Sequence, residues 1–319
     1  MRRENNTESD QAKPFFKWAG GKTQLIPEFT IRLPSDLLNG NLTRYVEPFI
    51  GGGAVYFSLL QLFPFKESYI CDVNEELILT YQVVQKDVHA LISLLSEYQE
   101  QYDTLDESGR SQEYYNIRND LNTNHEGFDY STYSNDWIER AAQLLFLNKT
   151  CYNGLFRLNS KGGFNVPFGR YKNPRIINEP NLLKASKLLS NTTILKGDFS
   201  ICQEYIDEET FVYIDPPYRP LNQTSSFTSY SQGGFSEEDQ IRLSKFFADI
   251  DRIGAKVMLS NSDPKNEDPS DHFFDDLYQD FTIERVLAKR SINSMGNKRG
   301  EIKEIIVMNY IPPEKNATR

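Results

Sequence analysis

Cysteine is scarce in this chain. The three present among 319 residues, Cys71, Cys151 and Cys202, are widely scattered. They form no pair at metal-ligand spacing, and an odd number cannot close into a disulfide framework. A reducing compartment and no metal centre are therefore expected. Long apolar runs are also missing, none approaching the roughly 18 residues needed to span a bilayer. Residues 1–13 are polar and lack the apolar segment of a signal peptide. The expectation is a cytoplasmic protein with no membrane partner and a disordered leader at 1–13. There is no internal repeat and no low-complexity tract. Two nucleotide-binding signatures fail as well. Gly20-Gly21-Lys22-Thr23 is not a phosphate loop, because Phe16 stands where the first glycine belongs and no strand precedes it. No G-x-G-x-x-G follows a strand.

Enough apolar material is present for a substantial core: 39% of residues are hydrophobic, with 21 Phe and 18 Tyr. The net charge of −10, taken alone, argues against a polyanionic partner. Its distribution argues the other way. Residues 140–178 hold Arg140, Lys149, Arg157, Lys161, Arg170, Lys172 and Arg175 with no acid, a +7 segment in a remainder of −17. Aromatic and glycine residues interleave with those cations, which suits a surface laid against nucleic-acid backbone. A second basic stretch, Lys289, Arg290, Lys298 and Arg299, could act as a second clamp or be a solvated hairpin tip.

Hydrophobic patterning places strands at 44–49, 69–72, 193–196, 211–214 and 256–260, with a final pair at 281–287 and 304–310. Between 75 and 185 the pattern changes. Apolar residues recur at helical spacing over 75–102, helices follow near 114–121 and 137–147, and residues 152–175 read as hairpin and loop. Ser236 followed by Glu237, Glu238 and Asp239 marks a helix start. The expected class is α/β, a sheet interrupted by an insertion. The expected domains are 14–74 with 186–319, and the insertion 75–185.

The sharpest motif is Phe211-Val212-Tyr213-Ile214-Asp215-Pro216-Pro217-Tyr218. A buried apolar strand stops there because two prolines cannot continue its hydrogen-bond ladder. A carboxylate, a rigid backbone and an aromatic ring are left at the carboxyl end of a strand, where open α/β sheets bind ligands. Asp215 and a proline-fixed carbonyl could accept the two hydrogens of a planar amine while Tyr218 stacks on its ring. Gly51-Gly52-Gly53 lies between a strand and a helix, where missing side chains let a ligand approach the backbone. Asp72 ends the next strand, at a position where an acid commonly holds ribose hydroxyls. Asp198 follows another strand and a glycine. Trp18 and Lys22, beside small residues, suit a pocket in which the lysine faces the carboxylate of a zwitterionic ligand.

In this fixed order, the motifs resemble the Dam-type DNA adenine methyltransferases. Phe16-Lys17-Trp18-Ala19-Gly20-Gly21-Lys22 is similar to that family's N-terminal cofactor motif. Glu47-Pro48-Phe49-Ile50-Gly51-Gly52-Gly53 resembles its glycine loop, and Phe164-Asn165-Val166-Pro167-Phe168-Gly169-Arg170-Tyr171 its target-recognition hairpin. Asp215-Pro216-Pro217-Tyr218 resembles its catalytic tetrapeptide. The resemblance implies a Rossmann-like methyltransferase sheet, mostly parallel with an antiparallel strand near the C-terminus, plus an inserted helical and hairpin-containing DNA-recognition domain. It implies S-adenosylmethionine as methyl donor, contacted by Trp18, Lys22, Gly51, Gly53, Asp72, Asp198, Phe199 and Asp215. It also implies Asp215, Pro216, Pro217 and Tyr218 as catalytic residues. Arg157, Lys161, Asn165, Arg170 and Lys172 become the candidate contacts to double-stranded DNA, with GATC as first expected target and activity at the bacterial nucleoid. A companion restriction endonuclease encoded nearby is an expected functional partner, with no stable complex required. Two other readings use the same residues: methylation of a cytosine amine or of RNA, and a catalytically silent DNA-binding module.

Overall fold

The computed structural model describes residues 11–125, 127–159, 161–219, 235–289 and 301–313. Of the leader expected to be disordered, residues 1–10 lie outside these. Ala12 is buried, and its N–H donates to Gln61 Oε1 at 2.7 Å.

Seven strands form one sheet: β1 (Arg44–Glu47), β2 (Glu67–Asp72), β3 (Thr192–Lys196), β4 (Thr210–Ile214), β5 (Lys256–Ser262), β6 (Thr282–Lys289) and β7 (Glu301–Met308). Their spatial order is β3-β2-β1-β4-β5-β7-β6. β1 pairs in parallel with β2 and β4, and β4 with β5. β7 runs antiparallel to both β5 and β6. The fold is thus mixed α/β, mostly parallel, with the reversed strand near the C-terminus. In β4 all five residues are buried, the pattern of a central parallel strand covered on both faces.

By packing, the chain divides into two compact units, 1–21 with 51–61 and 72–196, and 22–50 with 62–71 and 197–319. The first unit is mainly helical. The long helical pattern of 75–102 resolves into two helices, Glu75–Lys86 and Val88–Thr104, which meet at Asp87 (φ −133°, ψ 41°). The fragment expected near 114–121 is the middle of a longer helix, Glu107–Thr123, N-capped by the Asp106 carboxylate accepting from Gly109 N–H at 2.8 Å. Asn135–Thr150 is buried on most of its surface and packs against all three of these helices.

That burial changes the fate of Arg140. Its guanidinium lies inside the first unit, donating to Glu76 (2.9 Å to Oε2) and to the Leu121 carbonyl at 3.2 Å. It lies 4.5 Å from the Phe128 ring centroid. The Tyr130 hydroxyl donates to Glu76 Oε1 at 2.7 Å. A buried pair satisfied in this way is costly to break from one side. Arg140→Ala is expected to lower the free energy of unfolding by about 3–5 kcal/mol, whereas a Glu76→Leu, Arg140→Met double variant recovers most of it. Urea denaturation of the three proteins checks both.

Candidate active site

In the first unit, the backbone of residue 17 is held in place by Asn148, which is fully buried. Its Oδ1 accepts from Lys17 N–H at 2.8 Å and its Nδ2 donates to Lys17 O at 2.9 Å. Trp18 consequently stacks on Phe156, with centroids 5.2 Å apart and 24° between planes. The glycine loop packs directly on this indole. Gly51 has φ +45°, and a Cβ there would stand 2.9 Å from Trp18 Cδ1. Gly53 (φ +72°) would bring its Cβ to 2.6 Å from the Tyr81 hydroxyl, which itself donates to Gly51 O at 3.1 Å. Both glycines are required by close approach and by left-handed backbone.

Asp72, the last residue of β2, accepts from Gly51 N–H at 3.1 Å and from Asn74 N–H at 3.0 Å. Burial pushes its carboxyl up, against these backbone hydrogen bonds. Trp18, Gly51, Gly53 and Asp72 therefore form one cluster.

The second unit gathers Lys22, Asp215 and Tyr218. β4 delivers Asp215 immediately after its last buried residue. Lys22, only 5% exposed, places its ammonium 2.8 Å from both carboxylate oxygens. The lysine expected to face a ligand's carboxylate thus has one within the protein. Burial opposes its charge, but Asp215, then Tyr218 and Glu304, outweigh that, and Lys22 is held above its ordinary range. For Asp215, burial raises the carboxyl while Lys22 and the Ser260 hydroxyl hold it down. Ser260 Oγ donates to Asp215 Oδ1 at 3.4 Å and is 2.8 Å from the Tyr213 hydroxyl. The Tyr218 ring is 36% exposed, and its centroid lies 4.8 Å from the Lys22 ammonium. Gln240, fully buried, donates to the Pro217 carbonyl at 3.1 Å and fixes the backbone of the tetrapeptide. Its helix, Glu237–Ile253, starts with the expected Ser236 cap, completed by Asp239 into a capping box.

Asp198 and Phe199 have partners of their own. Arg242 grips the Asp198 carboxylate at 2.7 and 2.8 Å and lies 4.3 Å from the Phe199 ring centroid. The hydrogen bond from Arg242 holds the Asp198 carboxyl low, at about 2. Phe199 packs against Phe49 and Phe235.

The basic segment is smaller than its sequence suggests. Besides Arg140, Lys149 is withdrawn: its ammonium donates to the Phe15 carbonyl at 2.6 Å, and burial depresses it to about 8. Arg157, Lys161, Arg170, Lys172 and Arg175 remain exposed. The expected hairpin turns through Asn159 and Gly162 (φ +81°), with Asn159 N–H bonded to Gly163 O at 2.8 Å. Among the described residues its arms pair at isolated bridges, Leu158 with Phe164 and Cys151 with Phe168, rather than as strands. Helix Glu107–Thr123 pins it through Asn122, which accepts from Phe164 N–H at 2.7 Å, and through Tyr114, which donates to Val166 O at 2.7 Å. Arg157 Nε donates to Asn165 Oδ1 at 2.7 Å, so two candidate base-reading residues are held as a pair. Arg170 has φ +52° and a 78% exposed side chain. Tyr152, 55% exposed ahead of the hairpin, was not singled out in the sequence, although aromatic residues among cations are the signal that marks it. Of the second clamp, residues 290–300 lie outside the described residues.

Residues 18–292 match the family model for D12 class N6 adenine-specific DNA methyltransferases. The chain belongs to this family. It is 53% identical over 301 residues to "Type II methyltransferase M.MjaIII" of Methanocaldococcus jannaschii, covering 94% of this chain and 100% of that one. It is 39% identical over 300 residues to "Type II methyltransferase M1.LlaDCHI" of Lactococcus lactis subsp. cremoris, covering 93% and 95%. It is 30% identical over 296 residues to the "DNA adenine methylase" of Escherichia coli K12, again covering 93% and 95%. Among the described residues no helix is long and apolar enough to cross a membrane.

The glycine loop gives a direct test of the first cluster. Gly51→Ala is expected to displace Trp18 and to destabilise the protein by about 1–3 kcal/mol. Trp18 fluorescence, read in a Trp137→Phe background, and thermal melting check the two effects.

Proposed function

We propose that this chain methylates the exocyclic 6-amino group of adenine in double-stranded DNA, with GATC as the target sequence and S-adenosylmethionine as donor. The observation that carries the reading is the Asp215-Pro216-Pro217-Tyr218 end of β4. There a half-buried carboxylate, a braced proline backbone and a partly exposed ring stand together.

The residues fit the donor's chemistry. The Trp18 indole, the left-handed glycine loop and the Asp72 carboxylate suit a nucleoside with an amino-acid tail. Trp18, Gly51, Gly53 and Asp72 in the first unit would hold the donor, as would Lys22, Asp198, Phe199 and Asp215 in the second. For Asp198 this means sharing its carboxylate with Arg242. When bound, the donor supplies an activated methyl group.

The rest is done by the chain's own groups. The lone pair of the target amine is delocalised into its ring and is a weak nucleophile. Asp215 and the Pro216 carbonyl accept the two amine hydrogens and draw the nitrogen toward tetrahedral geometry. Orientation and preorganised acceptors then account for most of the acceleration, without a covalent enzyme intermediate. The amine is paired and stacked inside a duplex, so the base must flip out first. Stacking on Tyr218 returns roughly 1–3 kcal/mol of that cost. Arg157, Lys161, Asn165, Arg170 and Lys172 provide the DNA surface of a recognition insertion, residues 75–185, with Tyr152 available to stack on an exposed base. Phosphate contacts by the cations set position, while the Arg157–Asn165 pair is suited to reading base edges. The type II names of two relatives support a role as the modification partner of a restriction endonuclease.

Asp215→Ala is expected to lower turnover by roughly a hundred- to a thousandfold while DNA affinity stays near that of the wild type. Near-normal turnover would remove Asp215 from the mechanism. With five exposed cations rather than seven, the slope of log affinity for DNA against log salt should be no steeper than about −4.5. Binding titrations at several salt concentrations decide this. Single-molecule sequencing of genomic DNA from an expressing host identifies the modified sequence, and modification elsewhere than GATC would replace that assignment.

A further inference from the structure

Glu304 is an anomaly on β7. The four residues after it, Ile305 to Met308, are fully buried and apolar, yet Glu304 itself is only 7% exposed. Its Oε2 is buried with no hydrogen-bond partner. Burying a carboxylate oxygen without a donor is costly, and structures rarely tolerate it without a use.

The register of the sheet shows where this side chain is directed. β7 pairs antiparallel with β5, Glu304 opposite Ser262 and Ile306 opposite Ser260. Residues directly opposite share a face of the sheet, as do residues two apart. Glu304 is therefore on the face that carries Ser260, the residue whose hydroxyl reaches Asp215. On its other side β6 contributes only Val286 at the paired position. The ionisable groups that act on Glu304 are Lys22, Asp215 and Tyr218.

A conflict at Asp215 gives this placement a purpose. In the structure the Lys22 ammonium lies 2.8 Å from each oxygen of that carboxylate. Under the proposed function the target amine needs an oxygen of the same carboxylate. A base that takes an oxygen of Asp215 takes it from the Lys22 ammonium. We propose that Glu304 is a positioning residue for methyl transfer: its vacant Oε2 takes up the Lys22 ammonium as the target amine takes an oxygen of Asp215. Lys22 stays protonated and paired throughout, no covalent bond changes, and Asp215 is left free to accept from the amine. This inference rests on the methyltransferase reading of the site.

The test compares wild type, Glu304→Gln and Glu304→Asp as full-length proteins, using a GATC-containing duplex and labelled S-adenosylmethionine. For E304Q, kcat is expected to fall roughly tenfold, with donor affinity and melting temperature close to wild type. Its pH profile carries the decision. Asp215 pushes the Glu304 carboxyl up, so an acidic limb that includes Glu304 lies higher than one set by Asp215 alone. The acidic limb of kcat should therefore shift to lower pH in E304Q, which a purely structural role would not produce. E304D, which keeps the charge at shorter reach, should restore part of kcat and return the limb toward its wild-type position. An E304Q enzyme with wild-type kcat and an unmoved limb overturns the proposal. Should E304Q fail to fold, E304D decides: a several-fold lower kcat at unchanged donor affinity supports the role, and wild-type kcat overturns it. A wild type that transfers no methyl group to any duplex overturns the function reading itself, whereas an active wild type with an indifferent E304Q overturns only the role of Glu304.

Discussion

Asp215 follows a strand of five buried residues, and Lys22 brings an ammonium within 2.8 Å of both its oxygens, opposing the upward push of burial on its carboxyl. Without that partner the carboxyl would be driven toward its neutral form by burial, and a protonated acid cannot serve as an acceptor on both oxygens. The other features of the second unit support this pair. Ser260 bonds to Asp215 and to Tyr213, Gln240 braces the Pro217 carbonyl, and the Tyr218 ring lies beside the ammonium. The prolines matter for the same reason. They end the ladder of β4 where Asp215 leaves the sheet and meets Lys22. Glu304 belongs to the same economy of charge, as a second acid within the influence of one buried base.

The first unit solves a different problem, that of bringing backbone close to an aromatic ring. Gly51 and Gly53 adopt left-handed conformations against Trp18 and Tyr81, and the buried Asn148 holds the Trp18 segment by pairing with both backbone groups of Lys17. Asp72 closes the loop from below through Gly51 N–H. The result is a cluster in which an indole, a glycine backbone and a carboxylate lie together.

Much of this was legible in the sequence where the signal is local. The apolar run ending in two prolines, the glycine triplet between strand and helix, the acid ending β2 and the Ser236 cap each depend on residues a few positions apart. The sequence did not show what depends on pairing across the sheet or between helices. Lys22 meets Asp215 across 193 positions, Gln240 reaches Pro217 from the next helix, and Glu304 faces them only through the register of β7 on β5. Charge counting failed for a related reason. Arg140 and Lys149 lie on a helix that is buried on most sides, so they serve Glu76 and the Phe15 carbonyl rather than a polyanion. The hairpin was visible from its turn residues, but its arms are too short and too irregular to form strands.

The most direct test of the central claim is the identity of the methylated nucleoside. Duplex DNA treated with the wild-type protein and methyl-labelled S-adenosylmethionine is digested to nucleosides and resolved by chromatography. The account predicts label in N6-methyldeoxyadenosine alone. Label in a methylated cytosine, or DNA without label from protein that is folded and binds the donor, would contradict it.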